Sequence, residues 1–175
     1  MQRARVPEDR ARGGAEELAL SYADRGVRSV SLRFPATVHG AGDHGFVPTL
    51  VGVARERGVS GYVGDGTNRR PAVHRLDAAR LVRSALERSP AGSVVHAVAE
   101  EGVPALAIAA AISRGLAVPV RSVDPDDAAA HFGWIGLFFA ADAPASSVLT
   151  RQALDWTPTG PGLIDDLDAG SYFRS

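Results

Sequence analysis

The chain has 175 residues, a formal net charge of −1 and 45% hydrophobic residues, which suffices for one domain with a sizeable core. It contains no cysteine, which excludes disulfides and thiolate chemistry, and its interspersed charges give no electrostatic surface for nucleic acid. All nineteen Lys and Arg residues are arginine, so Schiff-base chemistry, a Walker-type phosphate loop and a Tyr-x-x-x-Lys pair are excluded within this chain.

The beginning of the chain predicts half of an α/β unit. Residues 1–14 are polar and Arg-rich, and we expect them to be disordered. Residues 15–25 have apolar positions on one helical face, and Gly26 is a typical helix stop. Residues 27–34 alternate apolar and polar side chains, which predicts a strand that ends at Pro35.

Residues 40–45, Gly-Ala-Gly-Asp-His-Gly, match the pattern G-x-G-x-x-G. In a dinucleotide-binding fingerprint the first glycine directly follows a strand, so that the phosphate meets the N-terminus of the next helix. Here Pro35 and four further residues separate the predicted strand from Gly40. We therefore interpret the segment as a loop and not as a phosphate site.

A second helix is predicted at residues 46–57, followed by a strand at 59–63. Pro48 lies in the first helical turn and Gly58 is a typical stop. The helical spacing predicts that one face packs into the core, and this face consists of Phe46, Val47, Leu50, Val51 and Ala54.

The stretch from Gly61 to Asp77 predicts a strand, a Gly-Asp-Gly turn, a polar loop and a second strand. Asp77 precedes a helical pattern, so we expect it to be the N-cap. The loop carries Arg69 and Arg70, which either bind an anionic ligand or are solvated. His74 fits a half-buried structural histidine better than a general acid.

Helices and short strands continue to the end of the chain. The five histidines are scattered and have no carboxylate at ligand spacing, so we expect no metal site. The pattern predicts, in order, a helix at 77–88, a strand at 93–98, an Ala-rich helix at 104–116, a short segment at 118–123, a helix ending near 131, an aromatic helix or lid at 132–139, and helices at 146–154 and 163–167.

Three stretches in this order resemble the extended short-chain dehydrogenases/reductases, the NAD-dependent epimerase/dehydratase family. They are residues 33–40 (Arg-Phe-Pro-Ala-Thr-Val-His-Gly), residues 62–79 around Gly-Asp-Gly-Thr-Asn-Arg-Arg-Pro-Ala-Val-His-Arg-Leu-Asp, and residues 154–158 (Leu-Asp-Trp-Thr-Pro). More narrowly, the chain is similar to an atypical subgroup of NAD(P)-dependent oxidoreductases. The resemblance covers residues 15–170.

The resemblance implies an α/β fold of two parts. It implies an incomplete Rossmann-like sheet with elements near residues 15–40 and 77–98. A small mixed substrate-binding lobe would comprise residues 41–76 and 104–175. Together these parts make residues 15–175 the C-terminal part of a dehydrogenase/epimerase-like domain.

The resemblance also implies site residues. NAD or NADP would be the cofactor, with its nicotinamide beside Pro35, Ala36, Thr37 and Val38. Members of the atypical subgroup have His-x-x-x-Arg in place of Tyr-x-x-x-Lys, and Arg12 is the candidate for that arginine. The substrate would contact the side chains of Asn68, Arg69, Arg70 and His74, of which Arg70 matches an arginine that often binds a nucleotide-sugar phosphate. The family's Arg-Asp-Phe reads Arg-Pro-Ala here, which argues against a nucleotide-sugar substrate.

Two interpretations of function follow. Family members begin with a Gly-x-x-Gly-x-x-Gly loop that has no counterpart here. In the first interpretation, the chain is a truncated or split oxidoreductase or epimerase that binds NAD(P) weakly and is inactive alone. Its partner would be a separate Rossmann half or a second copy of the chain. In the second, the chain is a non-catalytic binding or assembly module.

Because no apolar run reaches the roughly 18 residues of a membrane span, we expect no membrane partner and a cytoplasmic location.

Overall fold

A computed structural model describes the backbone of residues 8–174 and the side chains of residues 14–174. The strands in this part of the chain are β1 (Val30–Arg33), β2 (Thr37–His39), β3 (Ser60–Val63), β4 (Arg69–His74), β5 (Ser93–His96), β6 (Glu100–Pro104) and β7 (Val120–Val123). The helices are α1 (Glu8–Ser21), α2 (Phe46–Arg57), α3 (Arg75–Arg88), α4 (Ala105–Leu116), α5 (Ala128–Phe132), α6 (Gly136–Ala140), α7 (Val148–Leu154) and α8 (Leu163–Asp168). None of these helices is both long and apolar enough to cross a bilayer.

The strands form three small sheets. β1 pairs with β5, and β3 pairs with β7, in each case in parallel. The third sheet has the order β2-β4-β6, in which β2 and β4 are parallel and β6 is antiparallel to β4. Parallel neighbours require long crossover connections, which here contain helices. The predicted α/β class with parallel, Rossmann-like strands is confirmed.

The protein has two hydrophobic cores, which lie on different sides of the sheet formed by β2, β4 and β6. The larger core contains the apolar faces of α2 and α4 with β3, β7, Phe132 of α5 and Phe139 of α6. The smaller core joins α3 to β5, and Leu154 and Trp156 pack into it. Both residues belong to the stretch that the resemblance assigned to the substrate lobe. The domain division stays a prediction.

Helix α2 matches its prediction in both length and orientation. It runs from Phe46 to Arg57 and ends at Gly58, which has a left-handed φ of 65°. The five residues predicted to face the core are the five that are buried in this helix. The signal was strong because an apolar stripe and a glycine stop are both local properties of the sequence.

The prediction for Asp77 was wrong. Helix α3 begins at Arg75, two residues earlier, and its N-cap is His74. Asp77 therefore lies in the first helical turn, where its fully buried carboxylate accepts hydrogen bonds from the backbone N–H groups of Thr159 (2.9 Å) and Gly160 (2.8 Å). Because this partner turn lies far along the chain, local sequence could not reveal it.

The structure also differs from the predictions in where the first helix and the first strand begin, and it contains one strand that was not predicted. The first helix begins at Glu8, so residues 8–14 are helical, and residues 1–7 lie outside the described part of the chain. Strand β1 begins at Val30. Strand β6 was not predicted because its sequence, Glu-Glu-Gly-Val-Pro, has low β-propensity. Its conformation depends on pairing with β4.

Candidate functional site

A cleft of about 260 Å³ opens where the parallel strands β1 and β5 end. Arg33 and His96 are partners in the strand register, so both stand at this edge. In open α/β sheets, ligands bind in the crevice beyond the carboxyl ends of the strands. The lining includes Arg33, Pro35, Ala36, Arg70, His96 and Val98. None of the described residues that line the cleft is acidic.

The segment predicted to lie beside the nicotinamide forms one wall of this cleft. Pro35 and Ala36 line it directly. Thr37 and Val38 continue into β2, and Thr37 is almost completely buried. The Thr37 hydroxyl has no hydrogen-bond partner among the described residues. Thr37 is not among the residues that line the cleft, so this hydroxyl lies inside the protein and not on the cleft surface.

Arg70 is the buried cation of the cleft. Only 5% of its surface is exposed, and its guanidinium lies 5.6 Å from the ring centroid of Phe46. Its Nη1 donates one long hydrogen bond of 3.4 Å to the carbonyl of Ala141, and Nε has no partner among the described residues. Burial lowers the pKa of Arg70, but an arginine remains charged at neutral pH. A buried, under-bonded cation is suited to an anionic ligand.

Pro71 explains why Arg70 points into the cleft. Proline has no backbone N–H and cannot donate to a strand ladder. The pairing of β4 with β6 shifts register between Arg70 and Ala72, on either side of this proline. A bulge of this kind redirects the adjacent side chain. The Arg-Pro-Ala sequence therefore shapes the site.

Arg33 is paired on the rim of the cleft. Its Nε and Nη2 atoms donate to the two carboxylate oxygens of Glu16, each at 3.0 Å. Ser31 also donates to Glu16 at 2.6 Å. These hydrogen bonds hold the pKa of Glu16 below its usual value and raise that of Arg33. Arg33 is therefore less available to a ligand than Arg70.

Asn68 and Arg69 lie elsewhere. The Asn68 amide donates to the carbonyl of Phe139 at 2.6 Å, and Arg69 forms an exposed ion pair with Asp142 at 3.0 Å. Both residues line a different cleft of about 520 Å³ beside the Gly-Asp-Gly turn. The structure thus brings Arg70 together with Pro35 and Ala36, but not with Asn68 and Arg69.

His74 and Arg12 also lie outside the described lining of the 260 Å³ cleft. The Nδ1 atom of His74 accepts from the backbone N–H of Leu76 at 3.4 Å and caps α3. Burial, with the nearby His39, lowers the pKa of His74. Arg12 is within α1, but its side chain is outside the described residues. The roles assigned to these two residues stay predictions.

The loop at residues 40–45 does follow a strand directly, because β2 ends at His39. That part of the argument against a dinucleotide fingerprint was wrong. However, the carboxylate of Asp43 already accepts a 2.6 Å hydrogen bond from the N–H of Gly45, the N-cap residue of α2. The N–H of Gly40 donates to the hydroxyl of Tyr172 at 2.7 Å. A phosphate would have to displace an anion of the protein itself.

A buried histidine–carboxylate pair fastens α8 to β2. The Nδ1 atom of His39 lies 2.9 Å from a carboxylate oxygen of Asp166, and its Nε2 lies 4.0 Å from Glu100. Within residues 14–174, no group of three or more His, Asp or Glu side chains is arranged to hold a metal ion. We interpret this pair as a packing contact.

No sequence pattern marked His96 as a site residue. Its position at the end of β5 became informative only when the strand register paired it with Arg33. The available signal was that a strand was predicted at residues 93–98, since side chains at the ends of parallel strands often contact ligands.

The fold matches about half of the chain in solved Rossmann-like proteins. The structure superposes on the dTDP-glucose 4,6-dehydratase DesIV of Streptomyces venezuelae, solved with NAD, with a TM-score of 0.70, 19% identity and coverage of 92% of this chain and 48% of that one. It also matches RMD of Pseudomonas aeruginosa, solved with NADPH, with a TM-score of 0.69, 15% identity and coverage of 99% and 57%.

The sequence profile of the NAD dependent epimerase/dehydratase family matches residues 10–99, and the chain belongs to this family. An uncharacterised protein of Schizosaccharomyces pombe is 52% identical over 158 residues, which are 90% of this chain and 54% of that protein. The chain spans about half the length of the curated relatives that it matches.

Proposed function

We propose that this chain carries the substrate-side cleft of an NAD(P)-dependent oxidoreductase or epimerase. Pro35 and Ala36 would lie beside the nicotinamide, and Arg70 would bind an anionic group of the substrate. The observation that carries the proposal is the buried guanidinium of Arg70, which lines the cleft with an unpaired Nε and no acidic neighbour in the described lining.

The residues of the cleft fit the nicotinamide end of the cofactor. The apolar wall of Pro35 and Ala36 suits the face of the ring. When bound, the nicotinamide would supply hydride transfer. The chain's residues would orient the ring, exclude water and neutralise the substrate's charge.

The pyrophosphate end of the cofactor does not fit the loop at residues 40–45, because Asp43 occupies the N-terminus of α2. We therefore expect the isolated chain to bind NADH and NADPH weakly and to be inactive alone. A separate Rossmann half or a second copy of the chain is the partner that this interpretation predicts. Isothermal titration calorimetry of the 175-residue chain tests the point. Micromolar or tighter binding would contradict it.

The substrate part of the proposal is tested with Arg70→Met, which retains the apolar stem and removes the charge. We expect affinity for a small carboxylate such as butyrate to fall by about 10- to 150-fold, as for loss of a charge-assisted hydrogen bond. Arg69→Met is the matched control, because Arg69 is the neighbouring arginine but is exposed and paired with Asp142. Equal affinity in wild type and Arg70→Met would refute the anion site.

An exposed aromatic surface supports a second candidate function, an assembly module. Trp134 and Phe138 are exposed, and their ring centroids are 6.4 Å apart. Leu137 is also exposed in the same segment. Such apolar groups favour association. Size-exclusion chromatography with light scattering tests this candidate, and a monomer at all concentrations would contradict it.

A further inference from the structure

The imidazole of His96, on the rim of the 260 Å³ cleft, has no role in the proposed function. Its Nδ1 atom is 3.0 Å from the carbonyl oxygen of Ser146, and its Nε2 atom is 3.4 Å from Nη1 of Arg33. A carbonyl can only accept a hydrogen bond, and a guanidinium can only donate one. One neutral tautomer satisfies both neighbours: Nδ1 carries the proton, and Nε2 keeps its lone pair.

The orientation of this ring is fixed from several sides. The backbone N–H of His96 donates to the buried hydroxyl of Thr150 at 2.9 Å. The segment that supplies the Ser146 carbonyl is itself held, because Ser146 donates to a carboxylate oxygen of Glu101 at 2.6 Å and the N–H of Ala145 donates to the Glu101 carbonyl at 2.9 Å. The Nε2 lone pair is therefore a preorganised acceptor.

The lone pair of Nε2 is only weakly used. The contact from Arg33 is 3.4 Å long, near the limit of a hydrogen bond. The other nitrogens of Arg33 hold both oxygens of Glu16 at 3.0 Å. A ligand hydroxyl could therefore replace the long contact with a shorter bond, and Arg33 would keep its main partner.

The cleft combines this acceptor with the under-bonded cation of Arg70. An anion at Arg70 and a hydroxyl donor at His96 are the complementary ligand groups. The volume of about 260 Å³ lies below the roughly 300–1,000 Å³ typical of small-molecule pockets. The part of the substrate inside the cleft is therefore small, of the size of one sugar ring or a short hydroxy acid.

We propose that Nε2 of His96 accepts a hydrogen bond from a substrate hydroxyl, and that the substrate is a small hydroxylated anion. His96 thereby determines specificity for hydroxyl-bearing over plain anions. The inference rests on the proposed function for the position of the anion at Arg70, whereas the role of His96 rests on its own contacts.

The tautomer gives a first test that needs no ligand. Nitrogen-15 correlation spectroscopy of the full chain at neutral pH distinguishes a protonated from an unprotonated imidazole nitrogen. We expect the neutral form of His96 to carry its proton on Nδ1. A predominant Nε2–H tautomer would overturn the proposal, because Nε2 could then not accept from a hydroxyl.

Ligand titrations followed by NMR give the second test. The probes are butyrate and its 2-, 3- and 4-hydroxy derivatives, which differ from butyrate by one hydroxyl at different distances from the carboxylate. We expect at least one derivative to bind about 3- to 12-fold more tightly than butyrate, the range of one neutral hydrogen bond. Equal affinity for all four probes would overturn the role of His96.

Two substitutions of His96 complete the test. His96→Asn places an amide near the Nδ1 position, where it can still donate to Ser146, but has no atom at the Nε2 position. His96→Gln places an amide near the Nε2 position. We expect His96→Asn to abolish the preference for the hydroxylated probe over butyrate and His96→Gln to restore part of it. A preference that survives His96→Asn would refute the inference.

Failure of the inference and failure of the proposed function give different results. If Arg70→Met weakens all four probes but none is preferred by the wild type, the anion site stands and the role of His96 is wrong. If Arg70→Met has no effect on any probe, the anion site is wrong, and the substrate class proposed here is wrong with it.

Discussion

Two buried charges in this protein have opposite hydrogen-bonding environments. The carboxylate of Asp77 is fully buried and accepts from two backbone N–H groups, at Thr159 and Gly160, and from the side chain of Arg80. The guanidinium of Arg70 is 5% exposed and makes only one long hydrogen bond among the described residues. The fold satisfies the first charge and leaves the second largely unsatisfied.

This difference separates a structural charge from a ligand-binding one. A buried charge is tolerated when its hydrogen bonds are made within the protein, and then it fastens elements together. Asp77 joins α3 to the turn at residues 159–160, and its backbone carbonyl also accepts from Trp156. Arg70 makes only one long hydrogen bond within the described residues, so we expect its other hydrogen-bond partners to belong to a ligand.

Asp77→Ala should have the largest effect on stability. It would leave the backbone N–H groups of Thr159 and Gly160 without their acceptor, and breaking a buried charged network costs about 3–5 kcal/mol. Urea denaturation at neutral pH measures the free energy of unfolding. Asp77→Asn, which keeps one acceptor oxygen, should cost less than Asp77→Ala. If Asp77→Ala lowered the free energy of unfolding by less than about 1 kcal/mol, Asp77 would not be a structural charge.

His74, close to Asp77, should make stability dependent on pH. Burial, His39 and Arg75 lower its pKa in the folded state, and this outweighs the opposite effect of Asp166 and Asp77. The unfolded chain therefore takes up a proton at higher pH than the folded one, and stability is lost as the pH falls below about 6.5.

His74→Asn tests this dependence, because the Asn oxygen can still cap α3. We expect the free energy of unfolding of the variant to fall less than that of the wild type between pH 7.5 and pH 5, with a difference smaller than the Asp77→Ala effect. Identical pH profiles for the two proteins would show that His74 does not titrate differently on unfolding.

Arg70→Met should change stability by less than about 1 kcal/mol, or increase it, because replacing a poorly paired buried charge with an apolar group is often neutral or favourable. The same variant should lose anion binding. Circular dichroism and urea denaturation give the stability. A loss as large as that of Asp77→Ala would show that Arg70 is a structural charge after all.

Glu87→Gln should have the smallest effect. Glu87 pairs with Arg83 at 2.8 Å on the exposed face of α3, where the pair is solvated and screened by salt. We expect a slight shift in the urea midpoint that disappears at 1 M NaCl. If Glu87→Gln shifted the urea midpoint more than Asp77→Asn does, solvent exposure would not determine how much each charge contributes to stability.

Some features were predictable because their causes are local. The turn at Gly64-Asp65-Gly66 has φ angles of 60° and 72° at its glycines, and Asp65 accepts from both the N–H and the hydroxyl of Thr67. Its predicted role in turn geometry is confirmed. The same holds for the core-facing side of α2 and its end at Gly58. In each case neighbouring residues supply all the required contacts.

Other features were not predictable because their partners are distant in sequence. β6 forms by pairing with β4 despite an unfavourable composition, and Asp77 binds a turn more than 80 residues away. The cleft residues Pro35, Arg70 and His96 come from three separate strands or strand ends. The resemblance supplied Pro35 and Arg70, but not His96.

Composition and local pattern by themselves determined the α/β class, the absence of lysine and cysteine chemistry, the course of α2 and the turn at residues 64–66. The three stretches that occur in the family's order indicated the family. The packing of distant segments made Asp77 an internal acceptor, paired Arg69 on the surface, buried Arg70 beside the cleft and placed His96 at the same cleft. The physical reason is that burial and hydrogen-bond satisfaction depend on which strands become neighbours, and strand pairing is a long-range property.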